Sequence, residues 1–314
     1  MNDSFLAVLD PVFSPASPQA GALSHLFGVT LIVCGAIFVL IVALIGWCLA
    51  RFRDRAGTPE PAQTAGNNGL EVGWTAASVL IVAFLFVLTA RAMQIADPAP
   101  LRGSDLTVIG HQWWWEIRYP DGTVTANEIH IPTGADLLVA IGSADVIHSF
   151  WMPQLGRKIE AIPGRLNQIW IRADRPGEYA GTCSEFCGVQ HAWMRLLVVA
   201  QPPDEFKAWL KREAVRVPPA EAGAALRGET FFRQNACLVC HEVGGVHANA
   251  PVGPDLTHFA GRETIGAGVA PNTDSDLRRW LAHPQQVKPG SHMPDFRLTA
   301  AEVEDLRAYL DTLK

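Results

Sequence analysis

Two stretches of the chain hold no charged residue. Residues 26–50 and 72–90 are almost wholly apolar, and Arg51 and Arg91 close them. Each is long enough to cross a hydrocarbon core as a helix, and two such runs argue against buried core helices. From residue 106 the pattern changes to short β-rich runs broken by turns, at 106–109, 128–131, 137–141, 168–171 and 196–199. Asp121-Gly122 and Pro176-Gly177 are turn dipeptides. Short strands at this spacing predict a β-sandwich or barrel. Residues 204–213 then read as an amphipathic helix with Phe206, Trp209 and Leu210 on one face. Pro218-Pro219 breaks that pattern, and a helix over 221–234 follows. Thr299 and Glu302 form a capping box for a last helix, whose apolar stripe is Val303, Leu306, Tyr309, Leu310 and Leu313.

Charge gives the anchors a direction. Arg51, Arg53 and Arg55 lie between the two runs, and nothing before the first run is Lys or Arg. The positive-inside rule puts that loop, including the turn-rich residues 57–68, in the cytoplasm and both termini outside. The start also lacks the basic region of a secretory signal, so the first run is expected to be a retained anchor. The net charge of −6 provides no basic footprint for nucleic acid, which is excluded as a partner.

Four of the six cysteines form close pairs, while Cys34 and Cys48 fall inside the first apolar run. In the β-rich region, Cys183, Cys187, His191 and Met194 follow one another at short spacing, with His148 upstream. Two His, one Cys and a Met suffice for a mononuclear copper site. The second Cys lets two thiolates bridge two copper ions, each capped by one histidine. A zinc site of two Cys and two His is the alternative, and Met194 speaks against it because thioether binds zinc poorly. A Cys183–Cys187 disulfide is another. His111 and His130 read as structural residues.

Further on, Cys237-Leu238-Val239-Cys240-His241 is the Cys-x-x-Cys-His pattern of covalent haem c attachment, with His241 as the axial ligand. A thioredoxin-like pair would want a βαβ context, and a zinc half-site would want a second cysteine pair. Met293 is the expected sixth ligand, with His258 and His292 as alternatives; methionine raises the potential of such a haem.

The runs GHQWWW at 110–115, DVIHSFW at 145–151, AIPGRLN at 161–167 and CSEFCG at 183–188 resemble subunit II of haem–copper cytochrome c oxidases. That resemblance covers about the first two-thirds of the chain. Residues 223–314 resemble a class I cytochrome c, in which first and last helices cross, here with Phe232 and Tyr309 at the crossing. Together they resemble subunit II of a caa-type oxidase. The resemblance implies a multidomain, membrane-anchored chain: an external segment (1–23), a two-helix transmembrane hairpin (24–95), an all-β cupredoxin domain with a dinuclear CuA centre (96–202), a helix and linker (203–222), and an all-α cytochrome c domain (223–314). The implied copper ligands are His148, Cys183, Cys187, His191, Met194 and the carbonyl of Glu185. The Glu185 carboxylate resembles a ligand to Mg at the subunit I boundary. Trp113 matches the position where an external cytochrome c passes electrons to copper, and the Pro254 carbonyl matches the group that holds the proximal His241 ring. Glu71 resembles a carboxylate near the mouth of a proton channel in subunit I, although Ser78 replaces a proline common in that helix.

The implied activity is that of an electron-transfer subunit. Electrons enter at haem c from cytochrome c or an upstream complex, pass to CuA, and continue to subunit I, which reduces oxygen and translocates protons. Subunit III is a further expected partner. The implied location is the plasma membrane, with both soluble domains on the periplasmic side. The alternatives are the electron-transfer subunit of a CuA-containing nitric oxide reductase and an anchored copper carrier.

Overall fold

A computed structural model describes residues 13–53, 65–97, 103–244 and 252–314. Arg55, most of the loop expected over 57–68, and residues 1–12 of the expected external segment lie outside the described residues. Two compact units divide the chain: residues 21–98 form one, and residues 1–20 with 99–314 form the other.

The first unit holds most of α1 (Pro18–Arg51) and all of α2 (Asn68–Ala96). Both extend beyond the uncharged runs. Asn67 caps α2, its side chain accepting from the backbone of Gly69 and Leu70. Phe38, Ile41, Phe84 and Phe86 are exposed, a surface that water does not tolerate at this density and hydrocarbon does. Four hydroxyls in these helices are satisfied internally: Thr30, Thr75, Ser78 and Thr89 each donate to the carbonyl four residues earlier. Glu71 is exposed in the first turn of α2.

In the second unit, ten strands form two sheets. They are β1 (Leu106–His111), β2 (Trp114–Arg118), β3 (Val124–Ala126), β4 (Glu128–Pro132), β5 (Leu137–Ser143), β6 (His148–Trp151), β7 (Ile159–Ala161), β8 (Asn167–Ile171), β9 (Gly177–Cys183) and β10 (Arg195–Gln201). One sheet runs β3-β2-β1-β5-β8 and the other β4-β10-β9-β6-β7. All neighbours are antiparallel except β1 with β5 and β4 with β10. Alternate side chains of each strand face inward, and Val108, Trp115, Ile117, Ile129, Ile141, Phe150 and Val198 form a common core. Residues 14–17 join this domain: Ser17 donates to Leu155 O, and the Ala16 backbone bonds both Gln154 and Asp174. The helix α3 (Pro203–Glu213) closes one end, where Trp209 stacks on His130 at 4.0 Å and meets Tyr119 edge-on. Burial holds His130 down to about 4, so its ring stays neutral in this packing role.

The C-terminal domain packs α4 (Gly223–Gln234), α6 (Asp274–Ala282) and α8 (Ala300–Leu310) around an apolar core. The short helices α5 (Cys237–Cys240) and α7 (Pro284–Val287) and the strand pair β11 (Thr264–Ile265) and β12 (Ala270–Pro271) complete it. Thr299 and Glu302 cap α8 reciprocally, and Val303, Leu306, Tyr309, Leu310 and Leu313 are all buried. α4 crosses α8 at Gly228, and the rings of Phe232 and Tyr309 meet there at 5.6 Å.

Candidate metal and cofactor sites

The pairing of β6 with β9 sets Phe150 opposite Cys183. His148 lies two residues before Phe150, hence on the same face of its strand, and this brings its ring over Cys183. After β9 the chain loops through residues 184–190 and returns, with Cys183 N donating to Met194 O. The return sets Cys187, His191 and Met194 beside Cys183. Cys183 Sγ lies 3.8 Å from Cys187 Sγ and 3.9 Å from His148 Nδ1. Cys187 Sγ lies 3.7 Å from His191 Nδ1 and 3.9 Å from Met194 Sδ. The Glu185 carbonyl is 3.2 Å from Cys183 Sγ, while its side chain is exposed. The donor atoms of His148, Cys183 and Cys187 all fall within 4.8 Å of one another.

This donor set fits metal. A sulfur–sulfur gap of 3.8 Å is what two metal–sulfur bonds of about 2.3 Å span at an open angle. One thiol is prepared for it: the Cys187 group beside it holds Cys183 well below the usual thiol range, against the opposing effect of burial and with help from His148, while Cys183 and burial push the Cys187 thiol up. Thiolate is the form that binds metal. Burial disfavours a charged His148, but the Asp145 carboxylate and Cys183 outweigh it and raise its pKa. Asp145 Oδ1 accepts from His148 Nε2 at 2.8 Å, which leaves Nδ1 facing the sulfurs. Asp145 also accepts from Gln112 N at 2.6 Å. Asp145 stands inside the motif read from the sequence, yet only the fold reveals what it touches.

Trp113 precedes β2 rather than lying in it, and the peptide before it is cis. Its Nε1 donates to Cys187 O at 2.9 Å. Gly188 is required beside it: φ is +121°, and a Cβ would meet the indole at 2.9 Å. Trp115 joins the sandwich core with Trp113, whereas Trp114 packs apart from them with Ala126 and Ala267. His111 stacks on Trp114 and bonds Glu116, away from the sulfurs.

The second site is a cavity of about 470 Å³ bordered by Cys237, Cys240, His241, Pro254, His292 and Met293. Its volume suits a cofactor, and its other walls are largely apolar, including Phe259, Leu277 and Leu281. His241 Nδ1 donates to Pro254 O at 2.8 Å, so Nε2 is the nitrogen left that could hold a metal. Burial keeps this imidazole neutral, as a ligand requires. Gly253 allows the loop to pass over the ring, since a Cβ there would come within 2.6 Å of it. Burial pushes the Cys237 thiol up to about 11. His258 is buried but does not border the cavity, whereas Met293 does.

Comparison with known proteins finds three families that match parts of the chain. The family described as "Cytochrome C oxidase subunit II, transmembrane domain" matches residues 11–91. "Cytochrome C oxidase subunit II, periplasmic domain" matches residues 122–201, and "Cytochrome c" matches residues 225–314. A cytochrome c oxidase subunit 2 of Alkalihalophilus pseudofirmus is 34% identical, covering 100% of this chain and 92% of the relative. One from Bacillus sp. strain PS3 is 32% identical over 84% of this chain and 80% of its own length. One from Bacillus subtilis is 30% identical over 99% of this chain and 92% of its own.

Proposed function

The chain belongs to the cytochrome c oxidase subunit II family, with a cytochrome c domain at its C-terminal end, and from that premise we propose that it carries electrons from haem c through a CuA centre into the oxidase. It is a membrane-anchored component of a haem–copper oxidase, working with the other oxidase subunits and a cytochrome c donor. When bound, copper and haem supply reversible one-electron oxidation and reduction.

The observation that carries the reading is the convergence of two thiols, two imidazoles and a thioether, with each imidazole and the thioether within 3.9 Å of a cysteine sulfur. Cys183 and Cys187 would bridge two copper ions, with His148 and His191 as one cap each. Met194 and the Glu185 carbonyl would be the weak ligands. Asp145 orients His148, and Trp113 ties down the Cys187 carbonyl. In the other domain, Cys237 and Cys240 would form the thioethers, His241 and Met293 would bind iron, and Pro254 sets the proximal ring.

The domain limits at 96–202 and 223–314 are part of the same proposal, as is their periplasmic position. The exposed Glu185 carboxylate is free to meet Mg at a subunit I boundary. Oxygen reduction and proton translocation would belong to subunit I, with subunit III as a further partner. Analysis of the purified chain should find two coppers and one haem c. One copper, or zinc, or no covalent haem, would overturn the reading.

A further inference from the structure

The β-sandwich and the C-terminal domain meet along a polar seam. Glu128 on β4 accepts from the Glu263 and Thr264 backbones at 3.1 and 2.9 Å and from the Thr264 hydroxyl. Trp114 Nε1 donates to Val252 O at 3.0 Å. Gln190, three residues past Cys187, donates to Pro289 O. Lys288 is 4% exposed, and its Nζ donates to Trp113 O at 3.0 Å and to Gly266 O at 2.8 Å, joining the two domains through one side chain. Pinned in this way, the Trp113 indole meets the His292 imidazole with ring centroids 4.9 Å apart.

The two rings lie between the two candidate redox sites. His292 is bonded directly to Met293 and borders the haem cavity. Trp113 borders the same cavity on its other side and reaches the copper cluster through its bond to Cys187 O. Trp113 itself is 9% exposed, so the attached domain covers the indole that a separate donor would need to touch. Electron transfer weakens exponentially with the gap between orbitals. The route runs through the covalent bonds of Met293 and His292, one ring contact, one hydrogen bond and the covalent bonds of Cys187, with no gap filled by solvent.

We propose that His292 is the side chain of the C-terminal domain that hands electrons to Trp113, and that Lys288 is the positioning residue that holds the two rings together. This rests on the reading of the two sites as haem c and CuA. One electron leaves the ferrous haem, which becomes ferric, and enters the oxidised copper pair, which is reduced by one electron. No bond or proton is exchanged. An external donor then delivers to the C-terminal domain rather than to copper.

The test compares wild type, His292→Ala, His292→Phe and Lys288→Met in the full-length chain loaded with copper and haem. Three quantities are measured: the haem-to-copper transfer rate after flash reduction, both reduction potentials, and the iron–copper distance by pulsed electron paramagnetic resonance. His292 is exposed, so its truncation spares the core. His292→Ala should slow transfer by about an order of magnitude with potentials and distance unchanged. His292→Phe, which restores a ring, should recover most of the rate. Lys288→Met should broaden the distance distribution and slow transfer together. An unchanged rate in His292→Ala overturns the proposal. So does slowing that comes with an altered distance and is not rescued by phenylalanine, which would make His292 a packing residue only. A wild-type chain lacking either chromophore would instead sink the underlying functional reading, and the bridge with it.

Discussion

Replacing Gly228 by alanine should unlock the helix crossing that frames the cavity of the C-terminal domain. A Cβ at this position would sit 1.9 Å from Asp305 O and 2.9 Å from Tyr309 Cβ. Real Cβ contacts stay beyond 3.0 Å, and the obstacle is backbone, so α8 must retreat by about 1 Å. A gap of that size forfeits a quarter to a half of each van der Waals contact along the crossing. Phe232, Leu306, Tyr309 and Leu310 are the side chains that lose it. Overpacking against side chains costs about 1–3 kcal/mol, and against backbone we take about 3–4. Alanine returns about 1 kcal/mol of helix propensity, leaving a net loss of about 2–3 kcal/mol. At about 1.4 kcal/mol per factor of ten, amide hydrogen exchange in α4 and α8 should accelerate by roughly 30- to 150-fold. Exchange resolved by peptide isolates this domain within the full chain. Gly261, whose Cβ would meet nothing within 4 Å, serves as the control, and Gly261→Ala should leave exchange nearly unchanged. Equal protection in Gly228→Ala and wild type would refute the close crossing.

Two other substitutions probe the site and its frame. Asp145→Ala removes the acceptor that fixes the His148 ring and should weaken copper retention against a chelator by about 10- to 100-fold; undiminished retention would show that His148 is held by other means. Glu304 is held down to about 2 by its hydrogen bonds with Arg278 on α6 and Arg307 on α8. Its folded-state pKa is below the ordinary 4.5, so its stabilising effect is complete above pH 4.5 and disappears as pH falls through about 2. Acid unfolding of the C-terminal domain in Glu304→Gln should therefore differ from wild type above pH 4.5 and converge with it near pH 2, and parallel curves across that range would contradict the assignment.

The parts of this protein that were readable in sequence are those that local spacing encodes. The uncharged runs, the strand alternation, the Thr299–Glu302 capping box and the Cys237–His241 motif each state their structure within a few residues. His148 needed more, because 35 residues separate it from Cys183 and only the β6–β9 register joins them. The sequence offers it only as an upstream histidine that completes a copper ligand set, with no spacing to tie it there. The seam between the domains was not legible at all. Glu128 and Thr264 are 136 residues apart, and Lys288 and Trp113 are 175 apart. Nothing in the charge pattern marks a lone lysine or glutamate as the one that will be buried against carbonyls or amides of another domain. The packing of residues 14–17 on the sandwich is equally silent, since it rests on backbone bonds of Ala16 and a single serine hydroxyl, which many sequences offer.

The central claim is that Cys183 and Cys187 hold two copper ions as one redox unit. Its most direct test is the electron paramagnetic resonance spectrum of the oxidised chain. A hole shared equally by two copper nuclei of spin 3/2 splits the signal into seven hyperfine lines. That pattern, lost together in Cys183→Ser and in Cys187→Ser, is the predicted result. A four-line spectrum from a single copper, or no copper signal at all in a metal-loaded protein, would contradict the account.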